Sequence, residues 1–154
     1  MKSKHVATLV ALVAVTSLVA LTFSLSAGAA SALPARNGQL HLAKECSQFT
    51  GQPGAFCTFT RSNLAALPVG SKVFYDQAAG IPDGLLDSNV VLDAGSGNRA
   101  LGRCTLDLAT GHGLCTFSDG TGDFAGFEAR VDVFCPGVAC TWEGPYRFDP
   151  KPRK

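Results

Sequence analysis

The stretch Phe127-Glu128-Ala129-Arg130-Val131-Asp132-Val133 alternates apolar and charged side chains at every step. Successive side chains of a β-strand point to opposite faces of the sheet, so this period of two predicts a strand with one buried and one solvated face. Residues 142–148 repeat the pattern with larger apolar groups. Because Pro145 cannot donate a hydrogen bond to a neighbouring strand, we expect that second strand to be an edge or to bulge at this position.

Together with these two strands, the chain contains eight such segments, which are separated by clusters of Gly, Pro, Asp and Asn. They are residues 39–46, 56–62, 72–76, 85–93, 98–106, 113–118, 123–134 and 140–148. No segment after residue 32 has a helical period long enough for a helix. The pattern predicts an all-β, eight-stranded antiparallel barrel, because closure removes exposed sheet edges, with a β-sandwich as the alternative fold.

The N-terminal 32 residues have the organisation of a secretory signal. Lys2 and Lys4 precede an uncharged, mostly apolar run over residues 6–25, and Ala30-Ser31-Ala32 has the small-x-small pattern of a cleavage site. We predict a signal peptide over residues 1–32, cleaved after Ala32, and a secreted, extracellular domain over residues 33–154. A membrane anchor is the alternative, but no charged flank follows the apolar run, so we expect no membrane association after cleavage.

The charge of the predicted mature part argues against nucleic acid as a partner. Without Lys2 and Lys4, the 13 basic residues fall to 11, against 12 acidic ones. Nucleic-acid binding needs a basic face that displaces counterions, and the only basic cluster here is the terminal segment 151–154, which we interpret as a solvated tail.

The six cysteines all lie in the predicted mature part, and an even number in an exported domain favours disulfide bridges. Six cysteines allow 15 connectivities. Spacing favours one of them, in which each bridge closes a short local loop: Cys46 with Cys57, Cys104 with Cys115, and Cys135 with Cys140. Zinc is the alternative, but it needs four converging ligands at spacings such as C-x2-C, which do not occur.

Two further cofactor patterns are incomplete. Residues 120–125 match G-x-G-x-x-A, but a strand pattern follows them where a dinucleotide site needs a helix, so a tight turn is expected. Asp119, Thr121 and Asp123 have calcium-loop spacing, but Arg130 stands where the bidentate Glu is required. We predict neither a metal nor a cofactor.

Few residues are candidates for catalysis. The nucleophile elbow G-x-S-x-G is absent, and bridged cysteines offer no thiol. His41 and His112 are possible bases, although a solvated or structural histidine is the commoner case. Glu45, at the end of the first strand, faces either water or the barrel mouth. An inward carboxylate would have a raised pKa suited to proton transfer or to polarising a ligand.

Residues 117–131, from Phe117-Ser118-Asp119-Gly120 to Ala129-Arg130-Val131, resemble the turn and following strand of allene oxide cyclase-like and dirigent-like barrels. Those families share a G-G-x-G-x-F-x-G-x-x-G-x-V type of motif, with Asp119 here in place of the first Gly. Residues 69–76 and 98–104 are similar to two earlier strands of that family. The ending W-x-G-x-Y-x-F over residues 142–148 is similar to that of bacterial secreted members.

The resemblance implies a calycin-like barrel with an apolar pocket for a reactive small molecule, and a possible homotrimer. It also implies that Glu45, as a catalytic group, and Pro53, as a ligand contact, line the cavity. Three functions remain open: binding of a small apolar or phenolic molecule, a cofactor-free cyclase, isomerase or stereo-directing activity, and a structural role with a filled interior.

Overall fold

Eight antiparallel strands form a closed barrel in the part of the chain that the computed structural model describes, residues 36–80 and 84–149. The strands are β1 Asn37–Glu45, β2 Phe56–Arg61, β3 Lys72–Tyr75, β4 Leu85–Asp93, β5 Arg99–Asp107, β6 His112–Thr121, β7 Phe127–Phe134 and β8 Ala139–Phe148. Each strand pairs with the next, and β8 pairs with β1. The predicted all-β barrel is therefore confirmed, and the alternative β-sandwich is wrong.

Two predicted segments lie outside the described residues: the signal peptide, residues 1–32 with its cleavage site after Ala32, and the basic tail, residues 151–154. Within the described ranges, no helix has both the length and the apolar character needed to cross a bilayer.

The turn before β7 differs from its predicted position. The segment predicted as a strand from residue 123 begins instead at Phe127, because Gly122–Phe124 form a short 3-10 helix. Strand β6 continues to Thr121, past its predicted end at residue 118. Gly122 has a φ of +61°, and a Cβ there would lie 2.0 Å from the Asn98 side-chain oxygen, so the turn requires glycine at this position.

Pro145 does not lie on an edge strand, because β8 is paired on both sides. Opposite β1 the register is continuous, with Gln39 facing Pro145. Opposite β7, Ala129 pairs with Tyr146 and Asp132 pairs with Glu143, and the residues between these two pairs are not matched. The interruption falls where proline has no N–H to donate, and the register is the same on both sides of it, so a local gap in one ladder takes the place of the predicted edge or bulge.

Aromatic side chains fill the centre of the barrel. Trp142 is 1% exposed, and its ring centroid lies 5.4 Å from that of Phe59 and 5.8 Å from that of Phe117. Phe124, on the 3-10 helix, packs edge-on against Phe127 at 5.2 Å and is fully buried near the start of β7. Burial of each such ring stabilises the fold by roughly 1.5 to 3 kcal/mol. The barrel is therefore packed at its centre and towards the end where β7 begins.

The three disulfide bridges have the predicted pairing. Cys46–Cys57 joins the end of β1 to β2, and Cys135–Cys140 closes the β7–β8 connection. Cys104–Cys115 joins two residues that face each other on β5 and β6, with their Cα atoms 4.1 Å apart, and both residues are buried. Each bridge therefore links strands that are already neighbours in the barrel.

Replacement of Cys104 and Cys115 together by alanine should lower the free energy of unfolding by about 3 kcal/mol, mainly through the restored entropy of the unfolded chain. Replacement of Cys135 and Cys140 is the matched comparison. It should cost about 2 kcal/mol, because that bridge spans 5 residues of sequence and not 11. Urea unfolding followed by circular dichroism measures both values. Equal stability of the wild type and the Cys104/Cys115 variant would contradict this expectation.

Candidate functional site

A pocket of about 410 Å³ lies at the barrel end where β1 and β7 finish. It falls within the roughly 300 to 1,000 Å³ typical of small-molecule sites. Its wall includes Lys44, Phe49, Tyr75, Leu106 and Phe134, which come from strands β1, β3, β5 and β7 and from the loop after β1. We call this cavity the Lys44 pocket.

Lys44 lies inside the barrel because it continues the inward face of β1. Leu40, Leu42 and Lys44 alternate with more exposed residues along the strand, and the whole of Lys44 is only 4% exposed. A register shift in the pairing with β2 falls between Ala43 and Lys44. The strand thus carries an amine to the wall of the cavity, which also includes leucine, phenylalanine and disulfide-bonded cysteine side chains.

The amine of Lys44 has aromatic and polar neighbours. Its Nζ donates a hydrogen bond to the Tyr75 hydroxyl and lies 5.1 Å from the centroid of that ring. The centroid of the Trp142 ring is 4.7 Å from Nζ, and the Cys57 sulfur is 3.9 Å from Nζ. Aromatic faces attract a cation, so the ammonium form keeps some stabilisation in this desolvated position.

No carboxylate neutralises Lys44 among the described residues, where the ion pairs found involve only arginine and histidine as cations. Burial therefore lowers the pKa of Lys44 from 10.5 to about 7. Burial also raises the pKa of the Tyr75 hydroxyl, which stays protonated at neutral pH. The pocket thus contains an amine that is partly neutral near pH 7 beside a protonated phenol.

Glu45 does not line the Lys44 pocket. Its carboxylate accepts hydrogen bonds from the backbone N–H of Ser47 at 2.6 Å and from the Ser47 hydroxyl at 2.9 Å. Because side chains alternate along β1, the inward position belongs to Lys44 and Glu45 faces the other way. The period-two pattern of Leu40 and Leu42 is the sequence signal that identifies Lys44 as inward-facing, and our sequence reasoning missed it.

Pro53 is exposed in the loop between β1 and β2 and also does not line the Lys44 pocket. The same loop contributes a different residue to the site. Phe49 packs edge-on against Tyr75, with ring centroids 5.1 Å apart, and forms part of the pocket wall. The Cys46–Cys57 bridge ties the two ends of this loop together.

The two candidate histidines lie outside the pocket lining. His41 is exposed on β1, where its Nδ1 pairs with the carboxylate of Glu143. His112 stacks on Phe134, with ring centroids 4.7 Å apart, so it lies beside the pocket mouth. Across the described ranges, no group of three or more His, Cys, Asp or Glu side chains is placed to hold a metal ion.

The buried amine should make the stability of the protein depend on pH. Between about pH 7 and pH 10.5 the unfolded chain keeps the Lys44 proton that the folded protein has released, so unfolding takes up a proton. The free energy of unfolding should then rise by about 2 to 3 kcal/mol between pH 6 and pH 9. Lys44→Met should remove this rise and should be more stable than the wild type below pH 7.

Urea unfolding of the wild type, Lys44→Met and the neighbouring control Glu45→Gln at several pH values tests this expectation. Glu45→Gln should keep the rise, because its side chain lies outside the pocket. A wild-type profile that matches that of Lys44→Met would show that the amine titrates as an ordinary solvated lysine.

Comparison with known proteins finds no match for this chain among protein-family models, curated proteins or solved structures. The resemblance to allene oxide cyclase-like and dirigent-like barrels therefore rests on the motifs quoted above. A closed eight-stranded barrel hosts many unrelated functions, so the function has to be argued from the Lys44 pocket.

Proposed function

We propose that this protein is an extracellular, calycin-like barrel that binds a small apolar or phenolic molecule in the Lys44 pocket. The observation that carries the proposal is a cavity of about 410 Å³ whose described wall holds the hydrogen-bonded side chains of Lys44 and Tyr75. Apolar walls with a few convergent polar groups are typical of small-molecule sites, where the walls give affinity and the polar groups give orientation.

The apolar part of such a ligand matches the pocket wall. Its lining includes five large apolar side chains: Phe49, Leu86, Leu106, Leu108 and Phe134. Each Å² of apolar surface that leaves water here contributes roughly 25 cal/mol, so one aromatic ring supplies a few kcal/mol towards binding. A strongly charged ligand would lose its hydration without a matching set of charges in the wall.

A phenolic hydroxyl matches the polar pair. The neutral amine of Lys44 accepts a hydrogen bond from a phenol, and its ammonium form donates one to a phenolate. The Tyr75 hydroxyl remains protonated and supplies a second donor. Since the pKa of Lys44 is about 7, both forms of the amine are present at neutral pH, and the pair suits a ligand with one hydroxyl.

Exposed apolar side chains surround the mouth of the pocket. Phe134 is 42% exposed and Leu108 is 37% exposed, and both line the pocket. Val138, in the segment closed by the Cys135–Cys140 bridge, is 59% exposed. Exposed apolar surface around a cavity favours a binding site over a role limited to structure. Because aromatic side chains fill the centre of the barrel, the ligand is confined to this end.

Two observations support an extracellular location. The signal-like organisation of residues 1–32 predicts export, and all six cysteines are bridged. Disulfides persist in oxidising compartments and are rare in the cytosol.

Binding should be measurable with 4-hydroxybenzyl alcohol by isothermal titration calorimetry at pH 7. Gly137→Phe should weaken binding about tenfold or more, because Gly137 lines the pocket and has open space for a side chain. Val69→Phe is the control, since Val69 is 64% exposed in the loop before β3, at the opposite end of the barrel. Equal weakening by both variants would count against the pocket.

From the family resemblance we also propose a homotrimer. Static light scattering of the mature domain, with and without 4-hydroxybenzyl alcohol, measures the molecular mass in solution. A trimeric mass is the expected result, and a monomeric mass at every concentration would remove this part of the proposal.

A further inference from the structure

We propose that Lys44 captures an aromatic or apolar aldehyde as a reversible covalent imine at its Nζ atom. The inference rests on the proposed binding role of the Lys44 pocket and names a chemical class of ligand for it. A carbonyl group at the end of an aromatic ring would occupy the same place as the phenolic hydroxyl considered above.

The position of Nζ favours a reaction with a bound carbonyl. Lys44 lines the pocket, and its amine is hydrogen-bonded to the Tyr75 hydroxyl and lies 4.7 Å from the centroid of the Trp142 ring. No carboxylate in the described residues pairs with Lys44. The protonated form of the amine therefore gains no ion pair that would favour it over the neutral, nucleophilic form. A nucleophilic lysine is typically activated by desolvation of this kind.

The reaction is balanced without an oxidant or a reductant. The lone pair of Nζ forms a bond to the carbonyl carbon, and the carbonyl oxygen takes up a proton to give a carbinolamine. The nitrogen gives up its two protons over the sequence, the C–O bond breaks, and one water molecule leaves. Amine and aldehyde thus become imine and water, and added water reverses the reaction.

Tyr75 is placed to move the proton. Its hydroxyl is hydrogen-bonded to Nζ and stays protonated at neutral pH, because burial raises its pKa. It can pass its proton to the carbonyl oxygen as the N–C bond forms and take up a proton from the attacking nitrogen, so the buried hydroxyl is restored within the same step. Tyr75 is therefore proposed as the proton donor of the capture step.

Competing nucleophiles are few near the pocket. Cys46, Cys57, Cys135 and Cys140 line it, but all four are held in disulfides and offer no thiol to the aldehyde. Lys72, the other lysine in the described ranges, extends its Nζ over the Phe56 ring at 4.2 Å and does not line the pocket. The geometry thus directs the aldehyde to one amine.

Reductive trapping tests the proposal. The disulfide-bonded mature domain is incubated with 4-hydroxybenzaldehyde and sodium cyanoborohydride at pH 7 and is then analysed by intact mass and peptide mapping. We expect one hydroxybenzyl adduct, located on Lys44, with labelling about tenfold or more above that of Lys72, because a solvated lysine is almost fully protonated at this pH. An adduct confined to Lys72, the terminal lysines or the α-amino group would overturn the proposal.

Matched variants separate the amine from its surroundings. Lys44→Met should lose the adduct, whereas Lys72→Met should keep it in full. Tyr75→Phe should slow trapping several-fold while Lys44 remains the labelled residue. The trapping rate of the wild type should rise as the pH increases through about 7, where the amine loses its proton. A site map of the wild type decides the question even if Lys44→Met does not fold.

A second probe keeps the imine distinct from binding itself. 4-Hydroxybenzyl alcohol has the ring and hydroxyl of the aldehyde but no carbonyl, so it cannot form an imine. Calorimetric binding of the alcohol without a Lys44 adduct from the aldehyde overturns the imine alone. Failure of both probes overturns the proposed binding function as well.

Discussion

The seam between β1 and β8 is the contact on which the rest of the structure depends. The nine residues Asn37–Glu45 all pair with β8 in one continuous register, from Asn37 opposite Arg147 to Glu45 opposite Ala139. Without this pairing, the first and last strands would present open edges and the sheet would have no inside. Closure turns the alternation of each strand into a division between interior and surface, and it brings residues separated by about a hundred positions into one cavity wall.

The interior created by this seam is divided unequally. Large aromatic rings fill the centre and the end near Phe124, whereas the opposite end holds an amine and a phenol beside an open cavity. A buried amine without a counterion costs stability, because its charged form has lost its hydration. An apolar residue at position 44 would pack without that cost, so the lysine is better explained by function than by stability.

Two disulfides reinforce the mouth of the Lys44 pocket. The Cys46–Cys57 and Cys135–Cys140 bridges lie side by side, with the Cys46 and Cys140 sulfur atoms 3.8 Å apart. They restrain the loop that carries Phe49 and the segment that carries Pro136 and Gly137, and all of these residues form the wall. Loops are normally the most mobile parts of a barrel, so the bridges keep the cavity preformed and reduce the entropy lost when a ligand binds.

Local sequence determined most of the fold and part of the site. The alternation in Phe127–Phe134 is sufficient to predict the strand and its buried face, and the cysteine spacings are sufficient to predict the three bridges, because both depend on neighbours along the chain or in a hairpin. The start of β7 and the continuous pairing of Pro145 with β1 were missed, since they depend on contacts across the sheet.

The Lys44 pocket required the tertiary structure. The inward direction of Lys44 is implicit in the parity of Leu40 and Leu42, but its loss of charge near pH 7 depends on what surrounds it. Tyr75 and Phe49 reach the wall through the pairing of β1 with β2 and of β2 with β3, and Trp142 joins them when β8 pairs with β1. Sequence alone thus specified the strands and the disulfide bridges. Closure of the barrel decided which polar groups are buried together, because desolvation is a property of the assembled interior.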